Sequence, residues 1–140
     1  MTHIVIIGAG FGGLPAAFEL RHKLGKSHQI TVVSKDDYFQ FIPSNPWVAL
    51  GWRERKEIIE PIAPILKKHA IGFVAQAVTR IDPSNNKVVL ADQQEFQYDY
   101  LIITTGPKLA FDEVAGAGPD ANSESVCTVN HAEKAYANYQ

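Results

Sequence analysis

The chain has 140 residues, 46% of them hydrophobic and 20% charged, with a formal net charge of −2. Gly 10, Pro 8 and Cys 1 exclude collagen-like, low-complexity and disulfide-scaffold classes, and the length corresponds to about one globular domain. Thirteen Lys and Arg against fifteen Asp and Glu make no global basic field, so nucleic acid is not an expected partner.

A single cysteine, Cys127, forms no intrachain disulfide and no two-cysteine zinc site. His3, His22, His28, His69 and His131 have no metal-like spacing, so no metal is expected. The opening residues Met1-Thr2-His3 lack the cationic region of a secretion signal, and no stretch reaches the roughly 18 apolar residues of a membrane span. The expected location is the cytoplasm or the membrane periphery.

Residues 4–7 form a short, mostly β-branched apolar run bounded by glycine, the pattern of a parallel strand buried on both faces. Gly8-Ala9-Gly10-Phe11-Gly12-Gly13 follows, and residues 14–24 read as a helix, with Gly13, Ala17, Leu20 and Leu24 on one face. Pro15 falls in its first turn, where a missing N–H costs nothing, and Gly25 terminates it. Residues 30–33 are a second strand, which completes a βαβ unit.

Residues 36–51, rich in aromatics and proline, are expected to be an ordered but irregular loop. A short helix is predicted over 62–68. Strand-like pieces at 73–81, 87–90 and 96–98 suggest an antiparallel meander, and 101–103 another buried parallel strand. Residues 112–125 read as a surface excursion. A last helix is expected to be capped by a box of Asn130 and Glu133, and it stops without Gly or Pro, as if cut.

Gly8, Gly10 and Gly13 satisfy GxGxxG, in which the first glycine permits the tight turn, the second lets backbone approach a pyrophosphate and the third lets helix pack on strand. Placed after a strand and at the start of a helix, the motif predicts dinucleotide binding on a Rossmann-like α/β fold. The acidic residue that would bind ribose is replaced by Ser34, followed by Lys35, which could neutralise a phosphate. On spacing alone, a 2′-phosphorylated nicotinamide cofactor remains a competitor.

Four segments together resemble bacterial sulfide:quinone oxidoreductases. They are the glycine loop, Asp37-Tyr38-Phe39-Gln40-Phe41-Ile42-Pro43-Ser44-Asn45-Pro46-Trp47, Thr104-Thr105-Gly106-Pro107-Lys108, and Cys127-Thr128-Val129-Asn130-His131-Ala132-Glu133. The resemblance implies a flavoprotein with two dinucleotide-binding domains. The chain would be its FAD-binding amino-terminal part, an incomplete parallel sheet with a meander excursion. It further implies that Gly8, Gly10, Phe11, Gly12 and Gly13 lie under the FAD pyrophosphate, that Ser34 and Lys35 flank the adenosine ribose, and that backbone near Ala77 meets adenine. Thr105 and Gly106 take the Thr-Gly positions of an Ala-Thr-Gly element in which Thr104 replaces the commoner alanine. Pro43 and Asn45 would lie toward the flavin.

By the same resemblance Cys127 is the catalytic residue, with sulfide and quinone as partners. On its residues alone it reads as a small buried hydrophobe, the commonest state of a lone cysteine. A longer form would associate peripherally with a membrane. The 140 residues alone would self-associate through an unsealed sheet and be inactive. Flavocytochrome sulfide dehydrogenase, single-subunit NADH:quinone dehydrogenase and a non-catalytic NADP-binding module remain alternatives.

Overall fold

A computed structural model describes residues 1–140. In chain order the elements are β1 (His3–Ile7), α1 (Gly13–Leu24), β2 (Gln29–Ser34), β3 (Tyr38–Gln40), α2 (Asn45–Ala49), β4 (Ile59–Pro61), α3 (Ile62–Lys68), β5 (Gly72–Ala75), β6 (Val78–Asp82), β7 (Lys87–Leu90), β8 (Glu95–Gln97), β9 (Tyr100–Ile103) and α4 (Val129–Tyr139). The chain divides into two compact units, Met1–Phe39 with Pro61–Gly106 and Gln40–Glu60 with Pro107–Gln140.

The first unit is built on a four-stranded sheet in the order β5-β2-β1-β9, with every pairing parallel. Side chains of β1 alternate between its faces. Ile4 and Ile6 join Ala17 of α1 and Ile62 and Leu66 of α3, whereas Val5 and Ile7 join Val88 and Leu90 of the meander. Because helices cover one face and the antiparallel β6-β7-β8 sheet the other, β1 is apolar at consecutive positions. Each such fully buried aliphatic side chain contributes about 1.5–3 kcal/mol.

The βαβ opening, the helix at 62–68 and the α/β class agree with the sequence reading. Four expectations need correction, three of them here and one at the start of α4. The piece at 73–81 is not one meander strand. It breaks at Gln76 and Ala77, so that β5 pairs with β2 in the parallel sheet and only β6 enters the meander. β9 is parallel as expected but not buried. It ends the sheet, and Tyr100 and Ile103 are 66% and 58% exposed. Residues 36–51 are more regular than expected, holding β3, a 3-10 turn at Ile42–Ser44 and α2. Pro43 and Pro46 fit there because each falls at the start of its helical segment.

The second unit packs Val48 of α2, Val129 and Ala132 of α4, and Ile58 just before β4 into a small core. The cap of α4 differs from the expected one. Thr128, in extended conformation, accepts a hydrogen bond from the His131 backbone N–H at 3.1 Å. Asn130 instead uses its Oδ1 to accept from Arg55 at 2.6 Å, and Glu133 accepts from the same guanidinium at 3.2 Å. The cap therefore lies two residues earlier than Asn130.

Candidate dinucleotide site

Strand order in the parallel sheet reverses at β1, with β2 and β5 to one side and β9 to the other. Ligands of open α/β sheets bind outside the carboxyl ends of the strands at such a switch. Register places those ends together, since Ile7 pairs with both Val33 and Ile103 and Ser34 pairs with Ala75.

The glycine loop leaves β1 at this point. Gly8 N–H donates to the Val33 carbonyl at 2.8 Å, and its φ of +100° lies where side chains are rarely accommodated. A Cβ at Gly8 would stand 2.3 Å from the Thr104 carbonyl oxygen, and one at Gly13 would stand 1.9 Å from the Gly8 carbonyl oxygen. Both glycines are thus required by the protein's own packing, which brings the start of α1 against the ends of β1 and β9. Thr104 completes the joint. Its N–H donates to the Ile7 carbonyl at 2.8 Å, and its Oγ1 lies 2.8 Å from the Ile7 carbonyl and 3.2 Å from that of Gly8.

Gly10 is different. It is exposed, its φ is not positive, and a Cβ built there meets nothing within 4 Å. Neither backbone conformation nor packing within the protein requires glycine at this position, whereas a phosphate lying against the loop would. In the first turn of α1 the Leu14 and Ala16 N–H groups donate to the Gly10 and Gly12 carbonyls and Pro15 has none, so the turn adds the Gly13 N–H and the positive end of the helix dipole. The residues present therefore suit the diphosphate of a dinucleotide.

The other expected residues of this unit follow the carboxyl ends of the parallel strands. Ser34 ends β2 and is half-buried, and Lys35 after it is exposed. Ala77 lies between β5 and β6, its carbonyl accepting from Ala91 N–H at 2.9 Å. Thr105 and Gly106 are exposed after β9, with Gly106 at φ +74°. Phe11 is 50% exposed and meets Phe39 edge-to-face with centroids 5.2 Å apart.

Pro43, Asn45 and Cys127 belong to the second unit. Pro43 is exposed in its 3-10 turn. Asn45 is fully buried, its Oδ1 accepting from Gln40 Nε2 at 2.7 Å and its Nδ2 donating to the Val126 carbonyl at 2.8 Å. Cys127 is an exposed free thiol, contrary to the buried-hydrophobe reading. Its N–H donates to Ser125 Oγ at 3.2 Å, and Ser125 Oγ is 3.1 Å from His131 Nδ1.

Sequence reasoning did not assign Thr104 or Ser125 to a site. The departure of Thr104 from alanine was the available signal for the first. Nothing local marks Ser125, because its partners are fixed only by the packing of the second unit. No group of side chains is arranged to hold a metal ion, and no helix is long and apolar enough to cross a membrane.

A model of the pyridine nucleotide-disulphide oxidoreductase family matches residues 2–138. The chain is similar to the sulfide-quinone reductase of Aquifex aeolicus, 42% identical over 130 residues that cover 93% of this chain and 29% of that protein. It superposes on the X-ray structure of the sulfide:quinone oxidoreductase of Aquifex aeolicus with a TM-score of 0.90 and 40% identity, over 100% of this chain and 32% of that one. The mitochondrial sulfide:quinone oxidoreductase of Dictyostelium discoideum is 34% identical over 116 residues, covering 83% of this chain and 25% of that protein. The chain thus spans 29% and 25% of the length of these two curated relatives.

Proposed function

The chain belongs to the pyridine nucleotide-disulphide oxidoreductase family, and we propose that it is the FAD-binding portion of an enzyme that oxidises sulfide and passes the electrons to a quinone. The observation that carries the dinucleotide assignment is Gly10, an open glycine beside two packed ones at the switch point of a parallel sheet. Similarity to sulfide-quinone reductase across 93% of the chain supports the choice of substrates, and the resemblance of the four segments to flavoproteins supports FAD.

In this reading the backbone from Gly8 to Gly13 binds the diphosphate, with Phe11 and Gly12 in the loop, the Gly13 N–H as a donor and the start of α1 supplying positive potential. Ser34 hydrogen-bonds a ribose hydroxyl, Lys35 adds a positive charge beside it, and the backbone at Ala77 meets the adenine. Thr105 and Gly106 approach the cofactor from the end of β9, and Pro43 shapes the loop toward the flavin. When bound, the flavin supplies two-electron redox chemistry, and the protein's part is position and electrostatics. Cys127 is the sulfur-handling thiol, exposed as a reacting group must be. Peripheral membrane association would serve access to quinone in a longer form.

Equilibrium titration of the purified, cofactor-depleted protein with FAD and with NADPH tests the assignment. FAD binding in preference to NADPH is expected. Saturable binding of NADPH with no response to FAD would overturn it in favour of the 2′-phosphorylated nicotinamide reading that Ser34 and Lys35 leave open.

A further inference from the structure

The carbonyl of Val126 and the N–H of Cys127 are the two polar groups of a single peptide unit, and each is held by a separate buried side chain. Asn45, fully buried, donates to the carbonyl at 2.8 Å, and Ser125, 7% exposed, accepts from the N–H at 3.2 Å. Val126 and Cys127 themselves are exposed. The polar groups of their peptide unit nevertheless turn inward, onto side chains that are themselves buried. Burying the Asn45 amide is itself unfavourable unless its polar atoms are hydrogen-bonded, and Gln40 donates to its Oδ1 at 2.7 Å. A peptide carbonyl can only accept, which fixes the orientation of the Asn45 amide.

We propose that Asn45 and Ser125 are positioning residues that clamp the peptide unit preceding Cys127 and so restrict the direction in which its Cα–Cβ bond carries the exposed thiol. Clamping a peptide plane on both sides restricts the backbone from which the Cys127 Cα–Cβ bond leaves, so the thiol is left with rotation about that bond. The clamp is anchored beyond itself. Ser125 Oγ is 3.1 Å from His131 Nδ1 in the first turn of α4, and the start of that helix is capped by Thr128 immediately after the cysteine. The thiol therefore projects from between a clamped peptide and a capped helix. A nucleophile held in direction spends less of its reaction barrier on orientation. That functional consequence rests on the sulfur-handling role proposed for Cys127, whereas the clamp itself does not.

The test attaches a methanethiosulfonate nitroxide to Cys127 and records its electron paramagnetic resonance line shape. A control label is placed at exposed position 137 of α4, in an Ala137→Cys, Cys127→Ala protein. Neither FAD, sulfide nor quinone is present, so the outcome is independent of the catalytic reading. The label on Cys127 is expected to lose its motionally restricted component in Asn45→Leu and in Ser125→Ala. It should keep that component in Ser125→Thr, which retains the hydroxyl, while the control label is unchanged in all three backgrounds. Identical Cys127 spectra in the parent protein and Ser125→Ala would overturn the proposal. Equal mobilisation of both labels would also overturn it, since the two residues would then merely support the fold. If Asn45→Leu fails to fold, the Ser125→Ala and Ser125→Thr pair decides the question alone.

Discussion

Thr104 and Gly8 meet so closely that the Thr104 Oγ1 lies 3.2 Å from the Gly8 carbonyl, while a single added carbon at Gly8 would stand 2.3 Å from the Thr104 carbonyl oxygen. This contact joins the end of β9 to the turn after β1 and explains why the glycines of the loop are not equivalent. Gly8 and Gly13 serve the fold, and Gly10 is open toward solvent.

Gly13→Ala should therefore be strongly destabilising whether or not a nucleotide is present. Its Cβ would fall 1.9 Å from the Gly8 carbonyl oxygen, and a backbone atom cannot step aside as a flexible side chain does. Overpacking of this kind costs about 1–3 kcal/mol, and a backbone clash belongs at the upper end. Urea denaturation of the cofactor-free protein measures it, and an unchanged midpoint would contradict the close approach of α1 to β1.

Thr128→Ala should cost about 1 kcal/mol through loss of the cap on α4. Asn130→Ala should cost less, because Asn130 makes only an exposed contact with Arg55. Denaturation of the two variants side by side checks the order, and a larger effect at Asn130 would restore the capping box expected from the sequence.

Most of the first unit was legible because its signals are local. The β-branched run of β1, the glycine loop and the periodic face of α1 each follow from neighbours in sequence. The split at Gln76 and Ala77 was not legible, since neither residue is a turn former and Phe73 and Val74 suit either sheet. Burial of β9 was misread because Leu101, Ile102 and Ile103 look alike in a central and a terminal strand. In the candidate site, the loop glycines were visible as a motif, but the division of labour among them depends on Thr104, which is 91 residues from Gly13. Asn45 was noticed as part of a segment, and its bond to Val126 spans 81 positions that no local pattern reports.

The terminal position of β9 carries its own consequence. Its outer edge pairs with no other strand, and Tyr100 and Ile103 are exposed on it. Unpaired apolar edges template association. The 140-residue chain is expected to self-associate with rising concentration in sedimentation velocity, and Ile103→Lys to shift it toward monomer. A parent chain that stays monomeric throughout would contradict this.

The claim on which the account depends most is that the open face of Gly10 receives the cofactor's diphosphate. Dissociation constants for FAD, measured by fluorescence titration of the parent protein and of Gly10→Val, test it directly. The variant should remain folded, with stability within about 0.5 kcal/mol of the parent, because nothing in the protein occupies the space. Its FAD affinity should fall by about tenfold or more, a loss of about 1.4 kcal/mol or greater. A folded Gly10→Val protein that binds FAD as tightly as the parent would place the cofactor elsewhere.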